Sequence, residues 1–153
     1  MHAENALAFL TNSALCAQKR AEAIFDCNET TAQAALVLTP QAAQALVRTQ
    51  AETLKATGRV EFGTETVKHL ILAFYDSPYL TQSTYEETLH ALIELFYTFK
   101  NETEDRLGDQ DLMHLMRSAW DGVCGGSVEM LGGEVLPLLA RKIRMGELPE
   151  ELR

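Results

Sequence analysis

Apolar residues recur along most of this chain at intervals of three and four, the spacing that places them on one face of an α-helix. The pattern is widest in the segment LHALIELFYTF, whose apolar positions include Leu89, Leu92, Ile93, Phe96 and Phe99. A stripe of this width needs neighbours on more than one side if it is to be buried. The segment is therefore predicted to form the central helix of the fold.

Helix boundaries are marked most clearly around the segment TPQAAQALVRTQAETLKATG. Thr39 is a suitable N-cap, Pro40 stands at the first helical position, where its missing N–H is not needed, and Gly58 permits a left-handed C-terminal exit. Related signals predict further helices over about residues 13–33, 64–77, 83–107, 109–121 and 127–144.

Local motifs refine the ends of two of these helices. Ser83 with Glu86, and Thr84 with Glu87, have the spacing of a capping box ahead of the central helix. Pro137 lies inside the last predicted helix and predicts a kink there, because its ring removes a backbone hydrogen bond.

A short alternating segment interrupts the helical pattern. Val60 and Phe62 alternate with polar residues, but over too few positions for a full strand. The segment VEF is expected either to dock on the core or to pair with LVL at residues 36–38. The predicted fold is all-α, an irregular bundle of five or six helices, with a possible minimal two-stranded element.

Length and composition favour one domain. The chain has 153 residues, of which 46% are apolar, enough for a single substantial core. No repeat, low-complexity tract or linker divides it. We expect an N-terminal extension over residues 1–12, a single helical domain over 13–144 and a flexible C-terminal tail over 145–153.

Charge excludes several classes of partner. The chain carries 13 Lys and Arg against 22 Asp and Glu, a net charge of −9, so its field repels phosphate backbones and anionic lipid. We expect no nucleic-acid partner and no membrane partner, since there is also no apolar run of about 18 residues. The N-terminus lacks the basic start of a secretory signal, and the 3 cysteines include no CxxC pair. Reduced thiols in the cytoplasm fit this pattern best.

Read in order, the segments ALVLT, GRVEFG, SPYL, FYTFKNET, DQDL and CGGS resemble the motifs of an uncharacterised bacterial family of small acidic proteins, a domain of unknown function. The resemblance covers about residues 24–144 and implies a helical domain without an assigned activity. Ala34 and Ala35 stand where the resemblance leads us to expect an aromatic residue and a glycine.

Three histidines follow an acidic residue by one helical turn, which is the basis of an alternative prediction. The pairs are Glu65 with His69, Glu87 with His90, and Asp111 with His114. Glu-x-x-His on paired helices is how ferritin-like bundles bind two metal ions, but such a site also needs carboxylates from two further helices. Solvated surface pairs are the simpler interpretation, since acids are abundant in this chain.

The segment CGGS raises three readings of Cys124. A phosphate loop would need a basic residue, and none lies between Arg117 and Arg141. A nucleophilic, reactive thiol would need a histidine brought close by the fold. The favoured reading is a turn in which the glycines allow positive φ and Ser127 caps the last helix.

No complete catalytic set and no cofactor motif emerges, so an enzyme is the less favoured reading. The preferred hypothesis is a non-catalytic helical module that binds a protein partner or a second copy of itself. Leu95, Tyr97 and Tyr79 are its candidate interaction residues, with Tyr97 also a candidate for the core. The alternative is a metal-binding or hydrolytic protein that uses Glu87, His90, Asp111 and His114.

Overall fold

The computed structural model describes residues 15–153, and this part of the chain is all-α, as predicted. The expected extension over 1–12 and the expected helix start at Ser13 lie outside the described residues. We label the helices α1 (residues 15–25), α2 (Asn28–Thr31), α3 (Pro40–Thr57), α4 (Glu65–Phe74), α5 (Tyr85–Glu102), α6 (Asp109–Asp121), α7 (Val128–Met130) and α8 (Leu136–Arg144). None of the helices within 15–153 is both long and apolar enough to cross a membrane.

The ends of α3 follow local sequence rules, and the prediction for them is confirmed. The Thr39 hydroxyl accepts a hydrogen bond from the Ala42 N–H at 3.0 Å, and Pro40 occupies the first helical position. Gly58 adopts φ 70° and ends the helix in the left-handed conformation. A side chain at this φ would be strained, so glycine is the natural terminator.

Helix α5 is the centre of the molecule. It packs against α3, α4, α6 and α8, and its predicted apolar stripe is buried throughout. The exposure of these side chains does not exceed 1% for Leu89, Leu92, Ile93, Phe96 and Phe99. Burial of each stabilises the fold by about 1.5–3 kcal/mol, which explains why the helices assemble around this one.

The possible two-stranded element did not form, since residues 15–153 contain no strand. Side-chain amides take the place of a strand partner. The Asn28 side-chain amide accepts a hydrogen bond from the Leu38 N–H at 2.8 Å and donates one to the Leu38 carbonyl at 2.9 Å. The Gln82 amide does the same for Val37, at 2.8 and 2.9 Å. Because these backbone groups are already satisfied, the LVL segment has no need of VEF.

The N-terminal helix and the capping boxes also differ from expectation. The predicted first helix breaks at Asp26 and Cys27 and resumes as α2. Ahead of α5, a 3₁₀ turn covers Gln82–Thr84, and no side chain caps the helix. The hydroxyl of Thr81 pairs with those of Ser83 and Thr84, which removes both residues from the capping role.

The last predicted helix is not continuous, and its irregularity lies one turn ahead of Pro137. Residues Leu131–Val135 form a π-helical turn, and Pro137 occupies the first turn of α8. The widened turn accommodates the proline, which cannot donate the hydrogen bond that a regular α-helix would require at this position.

The C-terminal segment, for which the sequence predicted a flexible tail, makes contacts with the helical domain. Residues Glu150–Leu152 form a 3₁₀ turn that contacts α6. Pro149 is buried and Leu152 packs against the apolar core.

Candidate functional site

The acid and histidine pairs do not converge. No group of three His, Cys, Asp or Glu side chains within 15–153 is placed to hold a metal ion. Asp111 and His114 are exposed on α6, and no hydrogen bond or ion pair joins them to each other in the described structure. His69 lies 4.0 Å from Glu65 on the surface of α4. The three histidines therefore lie apart on three helices.

His90 has a different acidic partner from the one expected. Its Nε2 lies 3.0 Å from Glu86, one turn earlier, and not beside Glu87. Its Nδ1 lies 2.6 Å from the Thr49 hydroxyl on α3. Although hydroxyl, imidazole and carboxylate form a hydrogen-bonded chain, Thr49 lies in the middle of α3, where helical bonding occupies the backbone N–H groups that would bind an oxyanion. The arrangement is an interhelical hydrogen bond and not a nucleophile with its base.

Cys124 is buried in a turn, as the favoured reading expected. The side chain is 5% exposed, and burial together with the Glu134 carboxylate raises the pKa of its thiol. A thiol with a raised pKa is mostly protonated and is a poor nucleophile. Gly125 and Gly126 adopt φ 54° and 82°, and the Ser127 hydroxyl accepts from the Met130 N–H at 3.1 Å. The CGGS segment is thus a turn that ends in a helix cap.

The three candidate interaction residues are placed in three different ways. Tyr97 is fully buried, so it has no surface to offer a partner. Leu95 is half-buried, and its side chain packs so closely on Gly132 that a Cβ there would lie 2.5 Å from Leu95 Cδ2. Tyr79 is 45% exposed and is the one of the three that reaches solvent substantially.

An unexpected surface feature lies between α3 and α4. We call residues 58–64 the Val60–Phe62 loop. Val60 is 78% exposed and Phe62 is 93% exposed, the two most exposed large apolar side chains within 15–153. The sequence suggested that these residues dock or pair, but they point outward. The side chains of this segment do alternate, but the polar ones face the protein and the apolar ones face solvent.

Arg59 fixes the first half of this loop. Its guanidinium makes a two-pronged ion pair with Asp105, at 2.6 and 3.3 Å, and donates to Asn101 Oδ1 at 2.6 Å. These hydrogen bonds hold the pKa of the Asp105 carboxyl below its usual range. Two N–H donors meeting a carboxylate give strong directional pairing.

Glu61 fixes the second half from within. Its Oε2 accepts from the Tyr97 hydroxyl at 2.7 Å and from the Thr66 hydroxyl at 3.0 Å. The Gln50 amide donates to that same Tyr97 hydroxyl at 3.3 Å and to the Gly63 carbonyl at 3.2 Å. Burial, then the carboxylate beside it, raises the pKa of Tyr97, which keeps the phenol protonated as a donor. The loop is thereby anchored through its polar residues, with its apolar side chains outward.

Sequence reasoning missed this site, although signals for it exist. Arg59 and Glu61 alternate with the two apolar residues, and glycines flank the run at Gly58 and Gly63. Which side of a short alternating segment faces the protein depends on the groups beneath it, and these are polar side chains of α3, α4 and α5 and of the turn after α5.

Fold and site together define a small all-α domain that presents an ordered apolar loop. The chain belongs to DUF6323, a family of unknown function whose model matches residues 23–148. The match confirms the resemblance to an uncharacterised domain. No curated protein and no solved structure matches this chain.

The resemblance also led us to expect a glycine at position 35. Ala35 has φ 61°, a left-handed conformation that glycine adopts without cost. The backbone geometry of this turn suits glycine. An alanine in this conformation therefore carries a conformational free-energy cost.

Proposed function

We propose that this protein is a non-catalytic interaction module that binds a partner protein, or a second copy of itself, through the Val60–Phe62 loop. The observation that carries the proposal is a phenylalanine 93% exposed on a loop that Arg59 and Glu61 anchor to the protein through hydrogen bonds. A loop already ordered in the free protein loses little conformational entropy when it binds.

Exposed apolar side chains supply the driving force for this association. Transfer of a phenylalanine side chain into an apolar pocket contributes about 1.5–3 kcal/mol, and Val60 adds a further contribution. The net charge of −9 makes an anionic membrane or a nucleic acid an unfavourable partner. A cytoplasmic location forms part of the proposal, and its support is the presence of free thiols at Cys16, Cys27 and Cys124.

Photo-crosslinking in the native host provides the first test. Phe62→p-benzoylphenylalanine should give a discrete adduct, identifiable by mass spectrometry. The matched control is Val123→p-benzoylphenylalanine, because Val123 is 66% exposed but lies in the turn after α6. A defined adduct from position 62 and none from position 123 is the expected result. Adducts that are equally diffuse from both positions would contradict the proposal.

Purified binding partners then allow a quantitative test. Phe62→Ser should weaken binding by about 10- to 100-fold, because it removes about 1.5–3 kcal/mol of apolar burial. Val123→Ser should leave the affinity unchanged. Both variants should keep the melting temperature, since both side chains are mostly exposed. If the partner is a second copy, sedimentation of the wild-type protein over a concentration series will show a dimer that Phe62→Ser abolishes.

A further inference from the structure

Helix α8 buries one face and exposes the opposite one. Its buried residues are Leu136, Ala140 and Ile143. Exposed residues at positions i, i+3, i+4 and i+7 share the other side of the helix, and we call them the α8 outer face: Leu138, Arg141, Lys142 and Met145. Leu138 is 55% and Met145 is 67% exposed. The α8 outer face therefore carries two apolar side chains with two cations between them.

The cations of the α8 outer face have no acidic partner in the part of the chain that the structure describes. No carboxylate lies within ion-pair distance of Arg141, Lys142 or the neighbouring Arg144, and this includes Glu134 and Glu147 on either side. The dipole of α8 favours cations at this end of the helix. It does not account for the exposed apolar side chains that flank them.

Exposed charge around the Val60–Phe62 loop is mainly acidic. Residues 101–109 include the end of α5 and the turn that the loop contacts through Arg59. The exposed charged residues within 58–66 and 101–109 are three acids and one base: Glu65, Glu104, Asp105 and Arg106. The cations beneath the loop, Arg59 and Lys100, are each paired with an aspartate and mostly buried. The loop thus presents its apolar side chains beside an acidic rim.

The loop and the α8 outer face complement each other in chemistry. Each offers two exposed apolar side chains, and the exposed charge beside them is acidic at the loop and basic on α8. Neither surface covers the other within one molecule, because both are open to solvent. Contact between two copies would remove apolar area from water and bring acids to cations. Contact between two loops, or between two α8 outer faces, would instead bring like charges together.

We propose that copies of this protein associate with one another through these two surfaces, with the Val60–Phe62 loop of one copy on the α8 outer face of the next. The inference rests on the proposed function, and it names the partner of the loop and the surface that receives it. Because two different patches meet, the contact is heterologous, and successive copies close into a ring or extend into a chain. A short loop on two helical turns buries less area than a permanent interface, so the association is weak and depends on concentration.

Sedimentation velocity of the full chain, over a concentration series that reaches the millimolar range, tests the inference. The wild-type protein should form species larger than the monomer. Phe62→Ser and the double variant Arg141→Glu/Lys142→Glu should each weaken self-association by at least about 10-fold, since one removes apolar burial and the other makes two attractive contacts repulsive. Lys19→Glu is the matched control, because Lys19 is an exposed cation of α1, and it should change nothing. All these variants should keep the melting temperature of the wild type.

A mixture of the two deficient variants shows whether the two surfaces meet each other. The Phe62→Ser variant retains its α8 outer face, and the Arg141→Glu/Lys142→Glu variant retains its loop. An equimolar mixture should therefore form a heterodimer at concentrations where each variant alone is monomeric, and it should stop there because one usable surface remains on each chain. No association in the mixture would overturn the proposal.

Failure of this inference and failure of the proposed function give different results. A wild-type protein that stays monomeric, while position 62 gives a defined adduct with another protein, overturns the inference and leaves the proposed function standing. The same holds if Phe62→Ser abolishes self-association and Arg141→Glu/Lys142→Glu does not. Self-association that Phe62→Ser leaves unchanged, together with diffuse adducts from position 62, overturns both. Binding to vesicles of phosphatidylserine and phosphatidylcholine that Arg141→Glu/Lys142→Glu abolishes, without self-association, would assign the α8 outer face to a membrane and overturn the inference.

Discussion

Two buried tyrosines of α5 offer a matched test of how the core is stabilised. Tyr85 and Tyr97 are 1% and 0% exposed and lie on the same helix. The Tyr97 hydroxyl donates to Glu61 and accepts from Gln50. The Tyr85 hydroxyl is buried and makes no hydrogen bond within the described residues. The same substitution, Tyr to Phe, should therefore have opposite consequences at the two positions.

Tyr97→Phe removes a donor from a carboxylate. A hydrogen bond to a charged group contributes about 1.5–3 kcal/mol, and Glu61 keeps only the Thr66 hydroxyl and a Lys100 ammonium 4.0 Å away. We expect the free energy of unfolding to fall by about 2 kcal/mol. The Val60–Phe62 loop should loosen as well, because Glu61 anchors it.

Tyr85→Phe removes a hydroxyl that has no partner. Burial raises the pKa of Tyr85 to about 12, although the nearby Thr31 hydroxyl opposes this. Thr31 itself donates to the Leu36 carbonyl at 2.7 Å. Since the unpaired hydroxyl carries a desolvation cost, its removal should change stability by less than about 0.5 kcal/mol, in the stabilising direction if at all.

Urea unfolding of the two variants, followed by far-UV circular dichroism, measures the difference. The midpoint should fall for Tyr97→Phe and stay or rise for Tyr85→Phe, with the same dependence on urea, because both unfold the same surface. A gap of about 2 kcal/mol corresponds to roughly 4–8 °C in melting temperature for a chain of this size. Equal losses in both variants would refute the argument that hydrogen-bond satisfaction distinguishes the two phenols.

Four further outcomes are expected. Gly126→Ala should lower the melting temperature more than Gly125→Ala. Both glycines have positive φ, but only a Cβ at position 126 would lie within 3 Å of a neighbouring ring. Equal losses of melting temperature would contradict this. Cys16 should react with Ellman's reagent quickly and Cys124 only on unfolding, since the former is exposed and the latter is buried with a raised pKa. The pKa of Asp105 is lowered by its arginine partner, so the stabilising pair is intact above the ordinary aspartate pKa of about 3.9 and is lost as the pH falls through the lower folded value. The stability difference between wild type and Asp105→Asn should accordingly shrink below about pH 4. Treatment with a chelator should leave the melting temperature unchanged, and a drop of several degrees would revive the metal hypothesis.

Local sequence rules determined the helices and several of their ends. Thr39, Pro40 and Gly58 act on backbone groups within about four residues, so their effect is independent of the rest of the fold. The same holds for the Ser127 cap. The central position of α5 was also predictable. Its apolar stripe is too wide for one neighbouring helix to cover, so the helix must lie between several others.

Long-range contacts decided the parts that local rules could not. Asn28 and Gln82 satisfy the backbone of residues 37 and 38 from 10 and 45 positions away, which removed the need for a strand. The inward direction of Glu61, and hence the outward direction of Phe62, depends on a hydroxyl 36 positions along the chain. In a segment that alternates with a period of two, successive side chains face opposite ways. The tertiary structure alone determines whether the polar or the apolar set faces the protein. In this loop polar partners lay beneath it, so the charged residues turned inward and the apolar pair was left at the surface.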